Sequence, residues 1–135
     1  MEEKVFSIEQ IQSAHAQVKS GSDFPSYVQE LIQLGIKRYE TFVKDGHTDY
    51  FGANNYQIIA DSKWGPLEIE LKSDKENFIR LLKEHQQGQS DYFTFISDCA
   101  TNGIEKWIVD TEKMTCAYYD LKGNELLIEV IPSPK

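Results

Sequence analysis

No stretch of this chain approaches the roughly 20 consecutive apolar residues a helix needs to cross a bilayer, so nothing in its 135 residues predicts a membrane span. Basic charge is scarce: 14 lysines and arginines face 22 aspartates and glutamates, a net charge of −8. Repulsion from phosphate argues against a sequence-independent nucleic-acid binder, which usually carries a basic face. The acidic excess reads first as solubility. Cysteine is rarer still. Cys99 and Cys116 are too few for a disulfide framework, and both lie in apolar patterns that predict small buried thiols, kept reduced in a cytoplasm. The opening MEEKVFSIEQ lacks the basic and apolar regions of a secretory leader. His15 and His85 stand in no HExxH spacing and beside no cysteine, and neither a P-loop nor a GxSxG elbow occurs. The expectation is no metal, no cofactor, and no nucleic-acid or membrane partner.

What is present is ordinary in amount and orderly in pattern. Apolar residues make up 40% and charged residues 27%, the balance of a globular protein. The length fits a single domain, 1–135, able to bury roughly two-thirds of the surface its unfolded chain exposes. Ser7 and Gln10 form a capping box, with Phe6 placed to staple onto Ile11. Ile8, Ile11, Ala14 and Val18 then share a helical face that Gly21 stops. Asp23 caps a second helix with Pro25 in its first turn, Tyr27, Val28, Leu31 and Ile32 inward, and Gly35 past its end. From Ile36 the period changes to two. Asp45-Gly46 predicts a type I′ hairpin turn, the strand His47 to Phe51 returns, Asn54-Asn55 turns again, and Tyr56 to Ala60 form a third strand. DSKWGP breaks the pattern, and LEIEL (67–71) alternates as another short strand.

The second half repeats the script. Ser73 with Glu76 predicts a capping box and a helix with Phe78, Leu81 and Leu82 inward, ended by Gly88. Asp91 caps a fourth helix bearing Tyr92, Phe95, Ile96, Cys99 and Ala100, stopped by Gly103. IEKWIVD, MTCAYYD and ELLIEVI are strands, LKGN is a turn, and the tail PSPK cannot extend a sheet interior. Laid over the first half so that Asp23 falls on Asp91, the second half keeps register without a gap. Tyr27 falls on Phe95, Gly35 on Gly103, Tyr39 on Trp107, and Tyr50-Phe51 on Tyr118-Tyr119. The fold class expected is α+β: four helices packed on an antiparallel sheet of six or more strands. Two tandem helix-helix-strand-strand-strand repeats, 1–72 and 73–135, would build it and share one core.

The stretches GIKRYETFVKDGHTDYFGANNYQI, FSIEQIQSAHAQVKSGSDFPSYVQEL, KEHQQGQSDYFTFISDCATNGIEKWIVD and MTCAYYDLKGNELLIEVIP cover nearly the whole chain. In them it resembles the YbcV/YdfO-like family, small uncharacterised bacterial and prophage proteins often labelled "phage envelope protein-like". The resemblance implies a prophage link. It brings no established activity and no catalytic residues, and the chain has no anchor or membrane segment to support an envelope role.

Two groups of residues carry the functional expectations. His47 and Asp49 lie two apart on a strand and share a face, with Arg38 and Glu40 available on the partner strand. A histidine beside a carboxylate serves as a general base or ligand pair, whereas mixed charges on a strand usually mark only the wet side of a sheet. The corresponding positions of the second half hold Thr115 and Ala117, so this decoration belongs to the first hairpin alone. The second group is aromatic. Tyr39, Tyr50, Phe51, Tyr56, Trp64, Trp107, Tyr118 and Tyr119 lie in or beside strands. Adjacent pairs such as Tyr50-Phe51 must point to opposite faces, leaving one member outside a helix-covered core as a contact surface.

The preferred reading is an acidic, cytoplasmic, non-enzymatic binding or interaction protein, a prophage-linked accessory factor. The alternative is a small ligand binder or enzyme on the first-hairpin face, with Arg38, Glu40, His47, Asp49, Tyr50 and Phe51 as candidate binding residues and none as catalytic. The partner would be a protein or a small molecule, and the chain a monomer or homodimer. A deep pocket enclosing the charged quartet would favour the alternative. A flat, exposed aromatic face would favour interaction.

Overall fold

The computed structural model describes residues 6–18, 23–53, 56–61 and 66–131, apart from the side chain of Tyr92. Gly21, the Asn54-Asn55 turn, Trp64 and the tail PSPK lie outside the described residues. Period-two alternation builds one six-stranded sheet: β1 (Arg38–Phe42), β2 (Thr48–Phe51), β3 (Gln57–Ala60), β4 (Lys106–Asp110), β5 (Thr115–Tyr119) and β6 (Glu125–Val130). Its order is β3-β2-β1-β4-β5-β6, with every neighbouring pair antiparallel. Four helices accompany it: α1 (Ile8–His15), α2 (Phe24–Leu34), α3 (Lys75–Gln86) and α4 (Tyr92–Thr101). The architecture is α+β.

The helices bury one face of the sheet. Tyr39, Tyr50, Trp107, Val109, Cys116 and Tyr118 point into the core, where they meet Ile11, Val28, Leu31, Phe78, Phe95 and Ile96. Side-chain capping marks where α1, α3 and α4 begin, whereas Asp23 stands at the start of α2 without a side-chain cap bond and Pro25 sets that first turn. The Ser7 hydroxyl accepts from the Gln10 amide while the Gln10 side chain accepts from the Ser7 N–H, and Phe6 is buried beneath. Asp91 accepts from the Thr94 amide. Gly35 ends α2 in the left-handed region at φ 97°.

Five local expectations need correction. The cap of α3 is Asp74, accepting from Asn77, because the helix starts one residue later than a Ser73 cap would have it. The first hairpin is not a two-residue type I′ turn. Gly46 N–H donates to Phe42 O and Phe42 N–H to His47 O, closing a four-residue loop in which only Gly46 has positive φ. Strand β2 therefore begins at Thr48, not His47. Ile32 is 37% exposed instead of inward. LEIEL keeps its alternation, with Leu67 and Ile69 against the core, yet it is no strand of the sheet. It is a strap, tied by Leu67 N–H to Lys44 O and by Glu70 N–H to Ala100 O.

The two halves meet at β1 and β4. Glu40 and Ile108, equivalent positions when Asp23 is laid on Asp91, face each other at the centre of that ladder. The bonds around it recur at the same offset. Ile36 N–H donates to Leu31 O and Ile104 N–H to Cys99 O, while Lys37 N–H donates to Phe51 O and Glu105 N–H to Tyr119 O. Val43 N–H donates to Glu105 O and Thr111 N–H to Lys37 O, a reciprocal pair across the junction. Met114, which the same offset lays on Gly46, is the one described non-glycine residue with positive φ, 55°.

Candidate functional site

Because α1–α4 cover one face of the sheet, the other is open among the described residues, and register decides what stands on it. Cross-strand neighbours form two rows: Ile59, Asp49, Glu40, Ile108, Ala117 and Ile128, then Gln57, Phe51, Arg38, Asp110, Thr115 and Val130. A third, shorter row runs from Phe42 through Lys106 to Tyr119.

The centre of this face pairs its own charges. Glu40 lies 3.5 Å from Arg38 Nε and 3.4 Å from Lys106 Nζ. The Arg38 guanidinium sits 4.1 Å over the Phe51 ring, and Lys106 lies 5.5 Å from the centre of Phe42 and 5.8 Å from that of Tyr119. Such contacts stabilise by about 0.5–1 kcal/mol each at exposed sites. Partial burial, with Glu125 and Glu40 close by, pushes the Tyr119 phenol up. Toward both edges the face turns apolar: Ile59 is 58% exposed, Ile128 53% and Val130 79%.

The candidate residues divide. Arg38, Glu40, Asp49 and Phe51 share the open face, and His47 joins them by stacking on Phe42 with centroids 4.3 Å apart. Its acid partner is Asp45, 2.6 Å from Nδ1, and not Asp49. Asp45 resists its partial burial: the His47 backbone N–H, then the ring and its charge, hold that carboxyl below the ordinary range. Asp49 faces Glu40 and Ile59 across its two ladders. Tyr50 points the other way into the core, where burial pushes its phenol up despite hydrogen bonds with Tyr27 and Thr48.

Lys106 is not among the candidates the sequence offers. It is remote from Glu40 along the chain, and only the β1–β4 register brings the two together. Aromatic alternation does separate Tyr50 from Phe51 and Tyr118 from Tyr119: the first of each pair is buried and the second half-exposed.

Both cysteines are buried and free. Burial holds the Cys99 thiol far above its ordinary range and pushes Cys116 up to about 12, so neither is a thiolate near neutrality. His85 stacks on Phe95 at 4.4 Å, its Nδ1 3.2 Å from the Ser90 carbonyl, as a packing residue. Among the described residues no group of three or more histidines, cysteines or acids could hold a metal ion, and no helix is long and apolar enough to cross a membrane.

Residues 12–130 match the family described as protein of unknown function DUF1398. The chain belongs to that family. No curated protein matches it. The DUF1398 match spans both hairpins, the β1–β4 junction and the open face as far as Val130, and takes in α1 only from Gln12 onward.

Proposed function

We propose that this DUF1398 protein is a non-enzymatic interaction protein, and that the uncovered face of its sheet is the surface that contacts another protein. One observation carries this reading. A six-stranded sheet has all its described helices on one side, and its other side exposes Ile59, Ile128 and Val130 by more than half. Apolar area left exposed at both edges of a charge-paired centre gives a partner surface to bury. The central charges are already paired, so the partner's matching surface would be apolar, with hydrogen-bonding groups for the aromatic–cation belt.

The alternative, a ligand or catalytic site at His47 and Asp49, has less support. The His47 ring is engaged by Asp45 and Phe42, and Asp49 has no ion-pair partner among the described residues. The resemblance to YbcV/YdfO-like proteins favours a prophage-linked setting, and the two buried, free cysteines are in keeping with a cytoplasmic one. We also read the chain as one domain made from a duplicated unit, supported by the hydrogen bonds that recur when Asp23 is laid on Asp91. The units would share the core on either side of β1 and β4.

The test places a photo-crosslinking residue at Ile128, or at Glu76 on the helical side, in the native host. Adducts at 128 but not 76, lost when Ile59 and Val130 become aspartate, are the expected result. Adducts at 76 alone overturn the reading.

A further inference from the structure

α1 covers its strands less completely than α3 covers its own. Four and eight residues after its cap, α3 carries Phe78 and Leu82, both buried, and Phe78 meets Tyr118 edge-on at 5.0 Å. Four and eight residues after Ser7, α1 carries Ile11 and the half-buried His15. α3 continues to Gln86, whose amide donates to Glu129 on β6. α1 stops at His15, and of the two core-side residues of β3, Ile58 and Ala60, the one that lines the gap is the small Ala60. Smaller groups and a missing turn leave a half-open pocket of about 240 Å³ lined by Ile8, Ile11, His15, Ala16, Tyr50 and Ala60.

We propose that this cavity binds a small, uncharged, largely apolar ring compound of one or two rings with a single hydrogen-bonding group. Volume sets the size, since an apolar cavity of roughly 150 Å³ holds benzene and 240 Å³ admits a bicyclic ring system. Lining sets the class: isoleucines, alanines, a tyrosine ring and the His15 imidazole, which meets Tyr27 edge-on at 5.4 Å, surround the space, and among the described residues no acid, lysine or arginine lines it to meet an ionic ligand. The Tyr50 hydroxyl is engaged with Tyr27 and Thr48. Gln12, which also lines the opening and is itself exposed, supplies the polar contact. The matching space under α3 is filled by Phe78 and Leu82, so the site belongs to the first half's helix pair, on the face of the sheet opposite the interaction surface.

Indole is the probe. Titrated into the intact isotope-labelled protein, it should shift the amides of Ile11, Tyr50 and Ala60 saturably. Its ring protons should show NOEs to the Ile11 and Ala60 methyl groups. Ala60→Leu, or His15→Leu after the pattern of α3, should weaken binding at least about tenfold while leaving the amide shifts of β4–β6 in place. Absence of saturable shifts up to the solubility of indole overturns the proposal. So do NOEs to Ile59 or Ile128 instead, or unchanged affinity in a folded variant. The NOEs decide the matter in the unaltered protein even if both variants fail to fold.

Discussion

Gly103 ends α4 at φ +79°, and a Cβ there would lie 2.6 Å from Ser73 Cα and 2.9 Å from Ser73 N. Gly123 has φ +83° and nothing within 4 Å of the same position. Both substitutions to alanine incur the left-handed penalty of about 1–2 kcal/mol, but Gly103→Ala must also displace backbone. Urea unfolding should show Gly103→Ala losing clearly more stability than Gly123→Ala; equal losses would mean the backbone at Ser73 yields freely. The glycine stop was legible in the sequence. The reason it must be glycine was not, because Ser73 reaches it through tertiary packing.

His85 gives a pH dependence of definite sign. Burial against Phe95 lowers its pKa from the ordinary 6.5, although the Ser90 carbonyl and the Asp98 and Asp91 carboxylates pull upward. The unfolded chain then binds the proton more readily, so stability rises with pH between the folded and unfolded values. Stability should be full above about 6.5, decline as pH falls below it, and level off once the folded histidine is also protonated. Thermal melts of His85→Phe from pH 7.5 to 5 should show a flatter profile than the parent. An unchanged slope would assign the dependence elsewhere.

At the scale of elements, helix ends were legible where chemistry is local, whereas the Asp45-Gly46 loop is longer than its dipeptide suggests. The Ser7–Gln10 box, Asp91, Pro25 and Gly35 act within one or two turns of themselves. LEIEL failed for the opposite reason. Alternation reports a half-buried extended segment, and the strap is one, but whether it finds a strand to pair with depends on parts of the chain far away. The pairing inside the charged quartet was hidden in the same manner: spacing placed His47 and Asp49 near one face, and the four-residue loop gave His47 a nearer acid in Asp45. Replacing His47 and Asp49 with threonine and alanine removes half-exposed groups, so surface effects of about 0.5 kcal/mol per site apply. The melting temperature should fall by no more than about 2–4 °C. A loss several times larger by calorimetry would show that the Phe42 stack supports the hairpin.

At the scale of the molecule, neither half closes its own sheet. β1 and β4 each present one edge to the other, and residues 1–72 alone would expose the β1 edge together with flanking apolar groups. An unpaired, flat edge of this kind invites association, and a half of this size is marginal alone. Expressed separately, 1–72 and 73–135 should lack cooperative thermal transitions as monomers, and mixing them should restore one. A cooperative monomeric transition in either half would mean two independent domains. The α+β class was legible because each hairpin announces itself. The centre of the sheet was not, since it joins residues from opposite halves of the chain.

That junction also shapes the order in which the chain assembles. Of the five ladders between described strands, four join neighbours in sequence and only β1–β4 is remote. Each three-stranded meander can form at the microsecond pace of hairpins, whereas closing a loop of about 60 residues costs (3/2)RT ln n, on the order of 3–4 kcal/mol, before any contact repays it. The encounter of Glu40 with Ile108 is then the slow event. Substitutions in β1 and β4 should retard folding, and those in β3 and β6 should chiefly hasten unfolding.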